Sequence, residues 1–263
     1  TQILALRIAN ILQKTDTGAS GILCLTFTNS GVSAMRKRLF HHIGTDAAKV
    51  RIATFHGFAL DYIQKHFDLL DFDCMPELLD ETRSISIADE LLETCDWEYL
   101  RPRGNSTQYF KDVQSLVGLL KRERITPVQF LQDIEQEIST IQTDPSSIST
   151  RGETKGKLKK DAEKKIEGLE RTREVVRFYE LYEEHKKNRG FIDYDDVLRL
   201  LVDLVRVSED VASDLRETFL YVLVDEHQDS SGVQNEFLET VWKDTERPNI
   251  FVVGDDRQLI YGF

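Results

Sequence analysis

The stretch from Leu220 to Asp229 reads L-Y-V-L-V-D-E-H-Q-D, and it decides the fold. A short apolar run rich in β-branched residues predicts a strand that is buried on both faces of a parallel sheet. The run ends in Asp225, Glu226, Gln228 and Asp229. Ligands of open α/β sheets bind beyond the carboxyl ends of the strands. An acidic pair at this point is therefore well placed to hold a metal ion and to activate a water molecule.

The same acids have a structural alternative, because Asp229 or Ser230 could be the N-cap of a following helix. A second stretch favours a functional site. Asn249 to Gly254 reads N-I-F-V-V-G, which predicts another buried strand, and the polar run D-D-R-Q follows it at residues 255–258. Two successive strands would thus deliver polar side chains to one edge of the sheet.

The composition limits the class of protein. The chain has 263 residues with 46 acids and 34 bases, and its net charge of -12 argues against a surface that is basic throughout. No apolar run is long enough to cross a bilayer, so we expect no membrane partner. The three cysteines, Cys24, Cys74 and Cys95, are odd in number and widely spaced. This pattern indicates free thiols, and we expect a soluble protein of the reducing cytoplasm.

Strands and helices alternate at both ends of the chain. Ile22 to Phe27 and Val50 to Phe55 predict buried strands, each followed by a helix, and this alternation predicts parallel βαβ units. Between Ile85 and about Arg206 the pattern is helical and predicts no strand. We therefore predict an α/β fold, a parallel sheet flanked by helices, with an inserted all-α domain. The predicted domains are residues 1–71 and 191–263 for the α/β part and 72–190 for the insertion.

Five stretches carry a resemblance to a known family. They are T-Q-I-L-A-L-R-I-A-N-I-L (1–12), T-F-T-N-S-G-V-S-A-M-R-K-R-L (26–39), A-T-F-H-G-F (53–58), V-D-E-H-Q-D-S-S-G-V-Q (224–234) and V-G-D-D-R-Q-L-I-Y-G-F (253–263). In order and spacing they resemble the motifs of UvrD/Rep-type superfamily 1 DNA helicases. The sequence departs from the family pattern at Ser30, Ala34, Gly57 and His227. The resemblance implies the first RecA-like domain of such a P-loop NTPase, with its inserted helical domain.

The resemblance also implies site residues, with ATP and Mg²⁺ as cofactors. Thr1 and Asp225 would hold the magnesium ion, Glu226 would polarise the attacking water, and Gln258 would sense the terminal phosphate. These four residues would together bind the nucleotide. The path of single-stranded DNA would be lined by Phe27, Thr28, Asn29, Thr54, His56, Tyr261 and Phe263. Aromatic faces stack on any base, and small polar groups hold phosphates, which suits binding without sequence preference.

Two of these residues have ordinary structural alternatives. Phe27, like Phe55, ends a predicted buried strand and could belong to the core. His56 could cap its own helix. His227 receives no role. The basic run from Arg36 to Arg38 would most simply be a solvated helix face.

The nucleotide site is incomplete in this sequence. No G-x-x-x-x-G-K-[ST] loop occurs in it, and the family's second RecA-like domain, which supplies an arginine finger, is not represented. We therefore expect the chain by itself not to hydrolyse ATP. We also expect a gap in the sheet beside Asn249 to Gly254, where the family places the strand that leads into the phosphate loop. We therefore expect either a tendency of the chain to associate or further residues in the real molecule that this sequence omits.

Three functions remain open at this stage. The first is part of an ATP-dependent 3′-5′ DNA helicase or translocase that acts on single-stranded DNA or a duplex-single-strand junction, with the second RecA-like domain of the same parent chain as its partner. The alternative is a catalytically silent module that binds single-stranded DNA or a protein. The third is the helicase part of a helicase-nuclease. Because Asp225, Glu226 and Gln258 are all retained, the first is favoured.

Overall fold

The structure is a computed structural model that describes residues 2–100, 106–123, 125–150 and 155–255. It divides into two compact units. An α/β unit comprises the chain up to Pro76 together with the chain from Asp196 onwards, and a helical unit comprises Glu77–Asp195. The predicted insertion, residues 72–190, starts five residues before the helical unit starts and ends five residues before that unit ends. Within the described residues, no helix is both long and apolar enough to span a bilayer.

The elements are as follows. The strands are β1 (Ile22–Thr26), β2 (Arg51–Thr54), β3 (Glu77–Leu78), β4 (Phe191–Ile192), β5 (Tyr221–Val224) and β6 (Ile250–Val252). The helices are α1 (Gln2–Lys14), α2 (Asn29–Ile43), α3 (Phe55–Lys65), α4 (Glu81–Thr94), α5 (Ser106–Arg122), α6 (Pro127–Thr143), α7 (Lys160–Asn188), α8 (Tyr194–Val207), α9 (Glu209–Thr218) and α10 (Gly232–Trp242).

The sheet of the α/β unit has the strand order β2-β1-β5-β6, and every pair is parallel. All five residues of β1 are buried, as a central strand of a covered parallel sheet requires. The predicted α/β fold with a parallel sheet is thus confirmed. The four strands form a continuous sheet, so the expected gap does not lie between them. Among the described strands β6 pairs only with β5 and is an edge strand. The prediction that this strand is buried is wrong, because Val252 keeps 45% of its surface exposed. The expected tendency to associate stays a prediction.

Apolar stripes on the helices cover this sheet. Helix α1 and helix α2 pack against the sheet residues Cys24 and Leu223, and the buried residues that they contribute are Leu4, Ala5, Ile8, Ile11, Met35 and Leu39. A separate aromatic group joins α3 to α10, where the ring centroids of Phe58 and Phe237 lie 5.9 Å apart. Burial of these side chains stabilises each helix by roughly 1.5 to 3 kcal/mol per large residue. The covered sheet leaves its strand ends as the place for polar chemistry.

The helical unit has its own core between α4, α5 and α7, which includes Leu91, Val117 and Phe178. Helix α6 begins with a capping box, in which the Thr126 hydroxyl accepts from the Gln129 N–H and the Gln129 side chain accepts from the Thr126 N–H. The prediction that no strand lies between Ile85 and Arg206 is wrong. The short strand β4 pairs in parallel with β3. Two residues are too few to produce a periodic pattern.

Candidate functional site

The carboxyl ends of neighbouring strands bring the predicted nucleotide-binding residues and the predicted DNA-contacting residues to one edge of the sheet. Thr26 at the end of β1 pairs with Thr54 at the end of β2. The Asp225 N–H donates to the Leu25 carbonyl at 2.9 Å, so the acidic segment after β5 is tied to β1. The loop after β6 joins the same edge, because the His227 N–H donates to the Val253 carbonyl at 2.9 Å. The polar residues that follow four different strands therefore share one edge.

The two adjacent acids at this edge lie in opposite environments. Asp225 is buried, with 3% of its surface exposed, whereas Glu226 is exposed. The neighbouring Cys24 thiol responds to this arrangement, since burial and the negative charge of Asp225 raise its pKa to about 12. One carboxylate is thus held inside the protein, and the next one faces outward.

Glu226 adopts a left-handed backbone conformation with φ 52° and ψ 44°. A non-glycine residue in this region costs on the order of 1 to 3 kcal/mol, and such strain is concentrated at functional sites. In the described residues the other non-glycine residue with positive φ is Asp71. The strained residue opens a 3₁₀ turn, in which the Asp229 N–H donates to the Glu226 carbonyl at 2.9 Å. The strained conformation thus lies at the exposed acid itself, directly after the buried Asp225.

The side chain of Gln228 connects the acidic turn to the loop after β6. Its Nε2 donates to Glu226 Oε2 at 2.8 Å, and its Oε1 accepts from the Asp255 N–H at 3.0 Å. This close approach explains why residue 254 is glycine. A Cβ there would lie 2.8 Å from Gln228 Oε1 and 3.0 Å from the backbone nitrogen of Gln228. Gln228 is not among the site residues predicted from the sequence. A glutamine two residues after the exposed acid is the signal that could have identified it.

The acids fit a magnesium ion by their chemistry. Carboxylate oxygens are hard ligands that Mg²⁺ prefers, and Oδ1 of Asp229 is buried with no hydrogen-bond partner in the described residues. In the described part of the chain, Asp225, Glu226 and Asp229 do not bring three ligand atoms within 4.8 Å of one another. Magnesium at nucleotide sites is usually held by one or two carboxylates plus phosphates and waters, so this donor set suits it. The predicted residues Thr1 and Gln258 lie outside the described residues.

The residues predicted to contact DNA begin two neighbouring helices. Thr28 is the N-cap of α2 and accepts from the Gly31 N–H at 3.0 Å, and Thr54 is the N-cap of α3 and accepts from the Gly57 N–H at 3.0 Å. Both hydroxyls therefore have a structural role as caps. Asn29 is exposed in the first turn of α2. Two helix N-termini at one edge also offer partial positive charge and free N–H groups, which suit phosphates.

The two phenylalanines that follow the strands differ sharply in exposure. Phe27 keeps 37% of its surface exposed, whereas Phe55 keeps 3%. The core alternative considered for both residues thus applies to Phe55. Phe27 has an accessible ring beside Thr28. The predicted DNA-contacting residues Tyr261 and Phe263 lie outside the described residues.

His56 and His227 lie near the starts of α3 and α10, the two helices whose caps the sequence left open. Burial lowers the pKa of His56 to about 4, so the ring is neutral at pH 7. The alternative that His56 caps its own helix is wrong, because Thr54 is the cap of α3. The alternative N-cap at Asp229 or Ser230 is also wrong, because α10 begins after Ser231. His227 lies within 3.2 Å of the Ser230 hydroxyl through Nδ1.

A parallel α/β sheet with acids at its carboxyl edge and an inserted helical unit is the class of fold that the motifs implied. A family model described as the UvrD/REP helicase N-terminal domain matches residues 1–263. The chain therefore belongs to the UvrD/REP helicase N-terminal domain family.

Individual relatives match along the whole chain. The ATP-dependent DNA helicase Rep of Salmonella typhimurium is 26% identical over 264 residues, which cover 100% of this chain and 33% of that protein. Rep of Escherichia coli is 26% identical over 265 residues, with the same coverage. The ATP-dependent DNA helicase PcrA of Staphylococcus epidermidis is 23% identical over 265 residues, which cover 100% of this chain and 30% of that protein. The chain spans about a third of the length of these curated relatives.

Proposed function

We propose that this chain is the N-terminal part of an ATP-dependent 3′-5′ DNA helicase or translocase. The observation that carries the proposal is the pair of acids at the end of β5. Asp225 is buried, whereas Glu226 is exposed and has a strained, left-handed backbone. The matched relatives are named ATP-dependent DNA helicases, which supports the same conclusion. The substrate is single-stranded DNA or a duplex-single-strand junction. The second half of the nucleotide site comes from a second RecA-like domain of the same protein.

Each acid has a separate task in this proposal. Asp225, with Thr1, would hold Mg²⁺, and Asp229 is a further carboxylate within the same turn. The ion, when bound, neutralises charge on the nucleotide phosphates. The exposed Glu226 carboxylate accepts a proton from the attacking water, which is the work of a general base. The hydrogen bond from Gln228 Nε2 orients the Glu226 carboxylate at 2.8 Å, and Gln258 contacts the terminal phosphate.

The proposed DNA path crosses the start of α2 and α3. Phe27 stacks on a base, while Asn29 and the N–H groups of the two helix N-termini hold the backbone. His56 is neutral at pH 7, so it contributes a hydrogen bond and no positive charge. Tyr261 and Phe263 would extend the stacking surface. Binding of this kind accepts any base sequence, as a translocating protein requires.

The test of the nucleotide site is Glu226→Gln in the full-length protein that carries this chain. The isosteric amide cannot accept the proton, so we expect DNA-stimulated ATP hydrolysis to fall by about 10² to 10⁴. Nucleotide affinity, measured with a fluorescent analogue, should be retained. The matched control is Glu246→Gln at an exposed position, which should leave hydrolysis unchanged.

Two outcomes of that experiment would redirect the proposal. Near-normal hydrolysis by the Glu226→Gln protein would mean that the base lies elsewhere. Absence of hydrolysis by the wild-type full-length protein, with DNA binding intact, would establish the silent single-stranded-DNA-binding module instead. That the chain by itself does not hydrolyse ATP also stays a prediction.

The DNA path is tested by Phe27→Ala in the same full-length protein. Loss of one base stack should weaken binding to single-stranded DNA by about 1 to 3 kcal/mol, with little change in the salt dependence, because no charge is removed. Leu220→Ala, an exposed apolar position just before β5, is the control. Unchanged binding would exclude Phe27 from the DNA path, and an accompanying large loss of thermal stability would show that the packed part of its ring supports the fold.

A further inference from the structure

Helix α2 has an unusual charge distribution for this chain. Its sequence, N-S-G-V-S-A-M-R-K-R-L-F-H-H-I, contains three bases and no acid, whereas the whole chain has a net charge of -12. Arg36, Lys37 and Arg38 are all exposed. In the described residues none of the three forms an ion pair, whereas Lys49 and Arg51 of the same unit pair with Asp46 and Asp61. The basic charge on α2 is therefore not neutralised within the described fold.

The helix places part of this charge on a defined outer stripe. Asn29, Ser33, Arg36 and Phe40 are spaced at i, i+4, i+7 and i+11, which puts them on one side of a helix. All four are exposed, and Phe40 keeps 59% of its surface accessible. Lys37 lies beside them. The buried residues Met35 and Leu39 lie about a quarter of a turn round the helix from this stripe, so the stripe flanks the side of α2 that packs on the core.

The stripe is continuous with the proposed DNA path. It starts at Asn29, directly after the N-cap Thr28 and two residues after Phe27. Seven residues of helix separate Asn29 from Arg36, a rise of about 10 Å. That distance is roughly three phosphate spacings along a strand of B-form DNA. A strand that leaves the path along α2 would therefore reach Arg36 and Lys37 within a few nucleotides, and Phe40 one turn later.

We propose that the outer stripe of α2, formed by Ser33, Arg36, Lys37 and Phe40, binds the sugar-phosphate backbone of single-stranded DNA and lengthens the footprint beyond the path at Phe27 to Asn29. The inference rests on the proposed function. DNA is the favoured occupant for two reasons. Basic side chains without ion pairs attract a polyanion, whereas the net negative charge of the rest of the protein repels it. An aromatic ring among basic side chains can also stack on the exposed nucleobases of a single strand. An acidic protein partner would not require continuity with Asn29.

The test compares short and long oligonucleotides in the full-length protein. The variant Arg36→Gln/Lys37→Gln removes two charges and keeps helix-forming residues. Affinity for an oligothymidine of about 20 nucleotides should fall by about tenfold at low salt, and the slope of log affinity against log salt should decrease by about 1.4. Affinity for an oligonucleotide of about 6 nucleotides, which fits the path alone, should be unchanged. The variant Phe40→Ala should also weaken only the long oligonucleotide.

The matched control is Lys243→Gln/Arg247→Gln, which removes the same charge from exposed bases that form no ion pair in the described part of the chain. These residues lie between α10 and β6 and not on α2, so they should not affect either oligonucleotide.

Each remaining outcome decides the question. Equal losses on both oligonucleotides, or the same loss in the control, would overturn the proposal in favour of general electrostatic attraction. No loss on the long oligonucleotide would overturn it while leaving the proposed function intact, especially if binding of poly-glutamate were lost instead. If the wild-type protein bound neither oligonucleotide, the proposed function itself would fail.

Discussion

The two units handle charge in opposite ways. In the helical unit, Lys121 and Lys186 are buried beside two acids, with side chains that are 3% and 2% exposed. Lys186 Nζ lies 2.5 Å from Asp193 Oδ2 and 2.9 Å from Glu183 Oε1, and Lys121 Nζ lies 2.6 Å from each of the same two atoms. Two cations and two anions neutralise one another inside the unit. We call these four residues the buried ion cluster.

The sheet edge of the α/β unit gathers charges of one sign. Asp225, Glu226 and Asp229 follow a single strand, and in the described residues neither Glu226 nor Asp229 forms an ion pair with Lys or Arg. Adjacent carboxylates repel one another, and Glu226 is strained as well. A cluster that balances its own charge holds a fold together, whereas a strained cluster of like charges gains stability when a cation or ligand joins it. Such a difference in charge balance is what we expect between a structural cluster and a ligand-binding site.

The largest expected effect is at the buried ion cluster, whose contribution to stability can be measured. Lys186→Met removes one of the buried cations that contact Asp193 and Glu183, so we expect the free energy of unfolding to fall by about 3 to 5 kcal/mol. Urea unfolding followed by circular dichroism measures it. Lys187→Met, the exposed neighbour, is the control. A loss below about 1 kcal/mol would show that the cluster does not stabilise the helical unit.

A second test uses pH at the sheet edge. His56 has a folded-state pKa of about 4 against an ordinary value of 6.5, because burial disfavours the charged ring. The unfolded chain therefore binds the proton more readily, so this contribution to stability is complete above pH 6.5 and is lost as the pH falls towards 4. Between pH 7 and 4.5 we expect wild type to lose about 2 kcal/mol more than His56→Asn.

The histidine measurement needs a control for other titrating groups. His42→Asn, on the exposed side of α2, should show the same pH dependence as wild type. Parallel curves for His56→Asn and wild type would mean that His56 is not buried as a neutral ring. The same data bear on DNA binding, because a neutral His56 cannot make the affinity depend on pH near 7.

The smallest expected effect on stability is at Glu226, where the backbone is strained but the side chain has the proposed catalytic role. Glu226→Gly relieves the left-handed backbone conformation, so we expect the free energy of unfolding to rise by about 1 kcal/mol while ATP hydrolysis by the full-length protein is lost. The matched control is Glu239→Gly within α10, where glycine should destabilise by about 1 kcal/mol. Destabilisation by Glu226→Gly would indicate that contacts of the Glu226 side chain outweigh the backbone strain.

Local sequence determined much of this architecture. The buried runs that became β1 and β5, the capping box at Thr126 and the break between alternating and helical segments are each set by neighbours within a few residues. The order of the motifs also identified the family, because each stretch keeps its own residues and spacing. Burial of apolar runs and capping of helix ends depend on short-range physics, which a sequence displays directly.

Tertiary structure alone decided how the site is assembled. Phe27 and Phe55 follow equivalent strands, but only packing makes the first accessible and the second buried. The Gln228 bridge requires β5 and β6 to lie side by side, since its partners Glu226 and Asp255 are 29 residues apart in sequence. The pairing of β3 with β4 and the contacts between Lys121 and Asp193 span still longer separations. Such contacts arise from the register of distant segments, and no local pattern in the chain encodes them.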